Sequence, residues 1–227
     1  MTSAAPRRSD VCPGCGKPPA LCVCAAVVEV DNRIEVLVLR HPQEQDEWLG
    51  TALLLCRQLA RATLRTGLSW PNLARALGRD ADVKRWATLY LGTARQAPPA
   101  TLGPLVAVDR DGAPIAEQAG VLDGIDGLIL LDGTWAQAKA LWWRNPWLLK
   151  GRRLVLNPAT PSLYGDLRRE PRRGSVSTLE AAALALAQLE GRPDMVANLT
   201  APLRLLVKKL RAQAPRRPRM DRRRRRH

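Results

Sequence analysis

The chain has 227 residues, 46% of them hydrophobic, and a formal net charge of +15. That apolar content suffices for one substantial core with room for a small appendage. No apolar run is long enough to cross a bilayer and no apolar stretch backs Arg7 and Arg8, so neither a membrane span nor a signal peptide is expected, and the expected location is the cytoplasm.

The charge is unevenly spread. Arg216, Arg217, Arg219 and the arginines at 222–226 stand against one acid, Asp221, so about seven of the fifteen charges fall in residues 214–227. Such a tail cannot bury apolar surface and is expected to be disordered. An arginine run fits either a solubilising end or a grip on nucleic acid; the basic body, with no amphipathic helix beside the tail to suit a membrane, favours nucleic acid.

Near the N-terminus four cysteines fall within thirteen residues, as Cys12-Pro13-Gly14-Cys15 and then Cys22-Val23-Cys24. Two close thiolate pairs on opposing arms make a tetrahedral zinc site, and four thiolates close the coordination sphere, so the zinc is expected to be structural. Gly14 and Gly16 permit the tight turn. Two disulfides or a redox motif compete, but a chain without an export signal stays in a reducing compartment. Residues 1–28 are therefore expected to form a small zinc knuckle, 29–213 the main domain and 214–227 the tail.

In chain order, 34–39 reads as a buried strand, followed by the polar loop Arg40-His41-Pro42-Gln43-Glu44. Leu53, Leu54, Leu59 and Leu64 fit one side of a helix over 47–65, with Cys56 as a small core residue, and Pro71 suits the first turn of a short helix to Leu77. Residues 86–91 read as a strand ending at Gly92, and 105–108 as another extended piece. The clearest buried strand, 127–131, runs into Asp132-Gly133-Thr134-Trp135 and a helix to Arg144, with Thr134 and Gln137 spaced as a capping box. A strand at 153–156, a second capping box at Ser177-Thr178-Leu179-Glu180 heading a helix to Glu190, and a last helix over 195–212 complete the chain.

Strands alternating with helices predict an α/β fold with a mainly parallel sheet. Such sheets bind ligands outside the carboxyl ends of their strands. Three loops qualify: Leu89-Tyr90-Leu91-Gly92, Leu131-Asp132-Gly133-Thr134-Trp135 and Ser177-Thr178-Leu179-Glu180, each offering backbone N–H groups. On spacing alone, ordinary helix capping explains them as well.

The segment Asp132-Gly133-Thr134-Trp135-Ala136-Gln137-Ala138-Lys139 resembles the signature of the DTW-domain family, the tRNA-uridine aminocarboxypropyltransferases. Further matching pieces follow in order: the cysteine cluster, Leu39-Arg40-His41-Pro42-Gln43-Glu44, Gly50-Thr51, Leu89-Tyr90-Leu91-Gly92, Pro161-Ser162-Leu163-Tyr164 with Leu167-Arg168, and Ser177-Thr178-Leu179-Glu180-Ala181. The resemblance implies a SPOUT-like fold with a C-terminal trefoil knot. It also implies transfer of the 3-amino-3-carboxypropyl group of S-adenosylmethionine to N3 of a tRNA uridine, with release of methylthioadenosine. The three loops then become the donor clamp. A base near N3 would assist attack, and Asp132 is the expected group; Trp135 is expected to pack on a ring of either substrate, and Glu180 or Glu44 to hold the donor's amino group. Arg40, His41, Glu44, Lys139, Arg168, Arg169, Arg172 and Arg173 are the expected RNA contacts, with tRNA as partner and a monomer as working unit. A SPOUT-class RNA methyltransferase and a non-catalytic zinc-containing RNA-binding protein are the alternatives.

Overall fold

The structure, a computed structural model, describes residues 11–89, 102–167 and 176–213. Six strands form one sheet: β1 (Glu35–Arg40), β2 (Ala62–Thr66), β3 (Trp86–Leu89), β4 (Leu105–Val108), β5 (Gly127–Asp132) and β6 (Arg152–Leu156), in the order β2-β1-β5-β3-β6-β4. All neighbours pair parallel except β4, which runs antiparallel to β6 at the edge. The expected mainly parallel α/β sheet is observed.

Among the described residues six α-helices cover it: α1 (Ala52–Gln58), α2 (Leu73–Leu77), α3 (Gln118–Asp123), α4 (Trp135–Arg144), α5 (Thr178–Leu189) and α6 (Asp194–Gln213). Strand side chains alternate between faces, so each central strand feeds two cores. Val36, Val38, Leu128 and Leu130 join the core under α1, α5 and α6, whereas Leu37, Leu39, Ile129 and Leu131 join the one under α2 and α4. This explains why β1 and β5 read as unbroken apolar runs. Cys15, Leu21 and Val23 of the cysteine segment are buried in the first core, and Lys209 of α6 donates to the Cys22 carbonyl at 2.6 Å.

Two expectations fail locally. The helix over 47–65 stops at Gln58, and Leu64 lies instead in β2, because residues 62–66 supply the parallel partner that the outer side of β1 requires. Helix α3 was not foreseen; none of its residues is buried, so it leaves no apolar stripe to read. Both expected capping boxes form, at Thr134 with Gln137 and at Ser177 with Glu180. No helix among the described residues is long and apolar enough to cross a membrane.

Candidate active site at the carboxyl edge of the sheet

Because β1 and β5 are parallel and in register, Arg40 pairs with Asp132 at their shared carboxyl end. The backbone N–H of His41 donates to the Asp132 carbonyl at 3.0 Å, and Gln137 Nε2 donates to Gln43 Oε1 at 3.0 Å, so the loops after the two strands lie side by side. Gly133 belongs to this contact: a Cβ there would stand 2.9 Å from Gln137 Cβ and 3.5 Å from His41 Cβ. The Asp132 side chain is 6% exposed, and Thr178 Oγ1 donates to its Oδ1 at 2.5 Å. The first turn of α5 is thereby fastened to the end of β5, and two of the three expected donor loops meet.

Leu89, the one residue of the third expected loop among the described residues, ends β3, the other neighbour of β5. Tyr90, Leu91 and Gly92 lie outside the described residues, as do Arg168, Arg169, Arg172 and Arg173 and the tail at 214–227.

Glu180 is 6% exposed and accepts from Ser162 Oγ, the Leu163 N–H, the Ser177 N–H and Ser177 Oγ at 2.7–2.9 Å. Four donors converge on two oxygens, so this carboxylate ties the Pro161-Ser162-Leu163-Tyr164 turn to the head of α5. Tyr164 in turn donates from its hydroxyl to the Leu49 carbonyl at 2.5 Å, and Thr51 Oγ1 accepts from the Leu179 N–H at 3.2 Å. The family-like pieces at 50–51, 161–164 and 177–181 thus form one hydrogen-bonded unit around the carboxyl edge.

Leu131 and Leu179 face the core, and Thr134 spends its hydroxyl on the α4 cap. Trp135 is half-buried in the first turn of α4; Lys139 and Trp143 follow at successive four-residue steps and are exposed, so the three share one face running away from Asp132. Trp143, 70% exposed, is a feature that composition alone did not distinguish from core tryptophan. Arg153 lies over the Trp142 ring, 5.6 Å from its centroid.

The four cysteine sulfurs come together as expected, all within 4.8 Å of one another. Cys12 Sγ lies 3.6 Å from Cys24 Sγ and Cys15 Sγ lies 3.8 Å from Cys22 Sγ. Zinc bonded to sulfur at about 2.3 Å in a tetrahedron separates its ligands by roughly 3.8 Å, so these four fit the ion, whereas a disulfide needs about 2.05 Å. All are free thiols. Backbone N–H groups of Cys15 and Gly14 hold the Cys12 thiol down to about 6, while burial and the neighbouring sulfurs push Cys24 up to about 12. Gly14 is required by space, since a Cβ would lie 2.9 Å from Cys24 Sγ. Cys56 packs against the core, where burial pushes its thiol up to about 12 and leaves it inert.

The knuckle also forms a wall of the site. A cleft is lined by Lys17 from the knuckle, by Arg40 and Glu44 after β1, by Glu47 and Gly50, and by Asp132. Lys17 is only 1% exposed, with Nζ donating to the Gly50 carbonyl. Burial pushes this ammonium down to about 8, against the pull of negative charge at Cys15, Glu47 and Asp132. Sequence pattern offers no sign of Lys17, because its burial comes from contact with Gly50, 33 residues away. Glu44, expected among the RNA contacts, is 9% exposed in this cleft rather than on an open surface.

The DTW domain model matches residues 9–211. The chain is 32% identical over 207 residues to tRNA-uridine aminocarboxypropyltransferase 2 of Drosophila melanogaster, covering 89% of this chain and 76% of the fly protein. It is 29% identical over 206 residues to the Mus musculus protein of the same name, covering 88% of this chain and 63% of the mouse protein. Against tRNA-uridine aminocarboxypropyltransferase A of Arabidopsis thaliana the identity is 26% over 211 residues, covering 82% and 74%. No solved structure matches. With the family model spanning nearly all of the fold just described, the chain belongs to the DTW domain family.

Proposed function

We infer that this chain is a tRNA-uridine aminocarboxypropyltransferase, using S-adenosylmethionine as donor and releasing methylthioadenosine. The observation that supports this best is the meeting of Asp132 with Thr178 at the carboxyl edge, beside the loops that the DTW resemblance assigns to the donor. Segment 1–28 holds the metal and 29–213 carries the catalysis, with both sharing one core.

In the reaction, uridine N3 attacks the methylene carbon attached to the sulfonium; the new N–C bond forms as the C–S bond breaks and its electrons return to sulfur. The methyl carbon is activated by the same sulfur, so orientation selects the product. Asp132 takes the N3 proton. Gly133, Thr134, Ser177 and Thr178 surround the donor, with Leu89 at the end of β3, while Glu180 holds the clamp in shape. Trp135 packs against a substrate ring. Zinc on Cys12, Cys15, Cys22 and Cys24 supplies structure, fixing the knuckle against the cleft.

The SPOUT-like knot belongs to the same proposal. A trefoil is a rare arrangement, and it enters here as what the DTW resemblance implies.

For tRNA, the basic body and the Trp135, Lys139 and Trp143 face of α4 combine charge with rings on which unstacked bases settle. Arg40, His41, Arg168, Arg169, Arg172 and Arg173 are further RNA contacts in this reading, and the cytoplasm is the proposed location. Deleting 214–227 removes eight arginines, so the slope of log affinity for tRNA against log salt should fall by about 3–6. An unchanged slope in a salt titration would make the tail a solubiliser only.

The reaction class is tested by the released nucleoside. With tRNA and S-adenosylmethionine the protein should yield methylthioadenosine; S-adenosylhomocysteine would indicate methyl transfer, and no release would indicate a binding protein.

A further inference from the structure

Cations of the folded part gather around the knuckle. Residues 11–28, 52–58 and 195–213, which are the knuckle, α1 and all of α6 beyond its first residue, hold Lys17, Arg57, Arg204, Lys208, Lys209 and Arg211 and no Asp or Glu. The three segments are neighbours in space. Gln58 Nε2 at the end of α1 donates to the Leu199 carbonyl of α6 at 3.1 Å, and Lys209 Nζ donates to the Cys22 carbonyl at 2.6 Å. Arg57 lies against the knuckle, its Nη1 and Cys24 Sγ each 2.9 Å from the place that a Cβ on Gly14 would take. Arg57 and Lys209 therefore offset the negative charge that four thiolates bring to zinc.

Three cations remain on the outer face of α6. Arg204, Lys208 and Arg211 follow one another at i, i+4 and i+7 and all are exposed. Among the described residues no carboxylate forms an ion pair with them. The row is about 10 Å long at the helical rise per residue. Its far end borders the site: Arg211 Nη2 is 3.7 Å from the place of a Cβ on Gly165, in the turn that Glu180 fastens to the head of α5. A line of cations set apart from acids fits a polyanion. A second copy of the chain, or its own arginine tail, would bring like charge to the row. No large apolar side chain of α6 is exposed to enter a bilayer.

The kind of nucleic acid follows from the side chains at hand. Residues 11–28, 52–58 and 195–213 contain no Phe, Tyr or Trp, so an unpaired base finds no ring to stack on, in contrast to the Trp135 and Trp143 face of α4. Double-stranded RNA keeps its bases inside and is held through its phosphates and 2′-hydroxyls. We propose that Arg204, Lys208 and Arg211 bind the phosphate backbone of a base-paired arm of the substrate tRNA. The arm then lies along α6 beside the knuckle, while unpaired nucleotides reach the carboxyl edge and α4. The assignment rests on the tRNA reading above.

The test is a set of salt titrations on the zinc-loaded full chain with two probes, a blunt RNA duplex and an unstructured oligouridylate of equal length. A triple variant, Arg204→Gln with Lys208→Gln and Arg211→Gln, should lower the slope of log affinity for the duplex against log salt by about 2–3. Its slope for oligouridylate, its S-adenosylmethionine affinity and its unfolding midpoint should match the wild type, because the three side chains are exposed. Arg204→Lys with Arg211→Lys keeps the charge and should keep the duplex slope. An unchanged duplex slope in the triple variant would overturn the assignment, and so would an equal fall for both probes. Wild-type protein that binds phosphatidylserine vesicles more tightly than the duplex would make the row a lipid surface instead. Duplex binding through these residues without methylthioadenosine release from tRNA would sink the enzymatic reading alone; release with an unchanged duplex slope would sink this assignment alone.

Discussion

Asp132→Asn is expected to lower the rate of transfer about a hundredfold to ten-thousandfold, with affinity for S-adenosylmethionine nearly unchanged. The substitution keeps shape and local bonding. The amide oxygen can still accept from Thr178 Oγ1, and the backbone carbonyl that receives the His41 N–H is untouched. What disappears is the ability to take a proton. Single-turnover kinetics beside a binding isotherm separates the two effects. A loss of donor affinity equal to the loss of rate would make Asp132 a clamp residue, and near-normal turnover would remove it from the chemistry.

The second large effect is expected from the metal. Stripping zinc, or replacing Cys15 by Ala, should lower the midpoint of thermal unfolding by about 10 °C or more. Structural zinc contributes about 10–16 kcal/mol in isolated fingers, and retention of even a third of that shifts a chain of this size by that amount. The knuckle is no detached appendage: Cys15 itself is fully buried, beside Leu21 and Val23 in the main core, and Lys209 reaches it from α6. Because the ligands must be thiolates, acid should release the ion, and zinc content should fall as pH is lowered. Zinc-loaded protein with an unchanged melting curve on chelation would contradict this.

Much of this architecture was legible in the sequence where a local rule is strong. Strands β1 and β5 announce themselves as unbroken apolar runs because both faces are covered, and the caps at Thr134 and Ser177 are visible because a hydroxyl and an amide or carboxylate three residues later satisfy each other. The four cysteines needed only spacing. Strand β2 was illegible because the leucines before it continue a helical rhythm through Leu64, and only pairing with β1 extends that stretch. Lys17 was illegible for the same kind of reason: buried lysines and solvated ones look alike until a distant loop closes over one of them. Asp132 stood out in sequence, but its bond to Thr178, 46 residues later, is a product of topology.

The most direct test of the whole account is nucleoside analysis, by mass spectrometry, of tRNA incubated with the protein and S-adenosylmethionine. Conversion of a uridine to 3-(3-amino-3-carboxypropyl)uridine is the predicted result. A methylated nucleoside, or tRNA returned unmodified by zinc-loaded protein that binds both substrates, would contradict it.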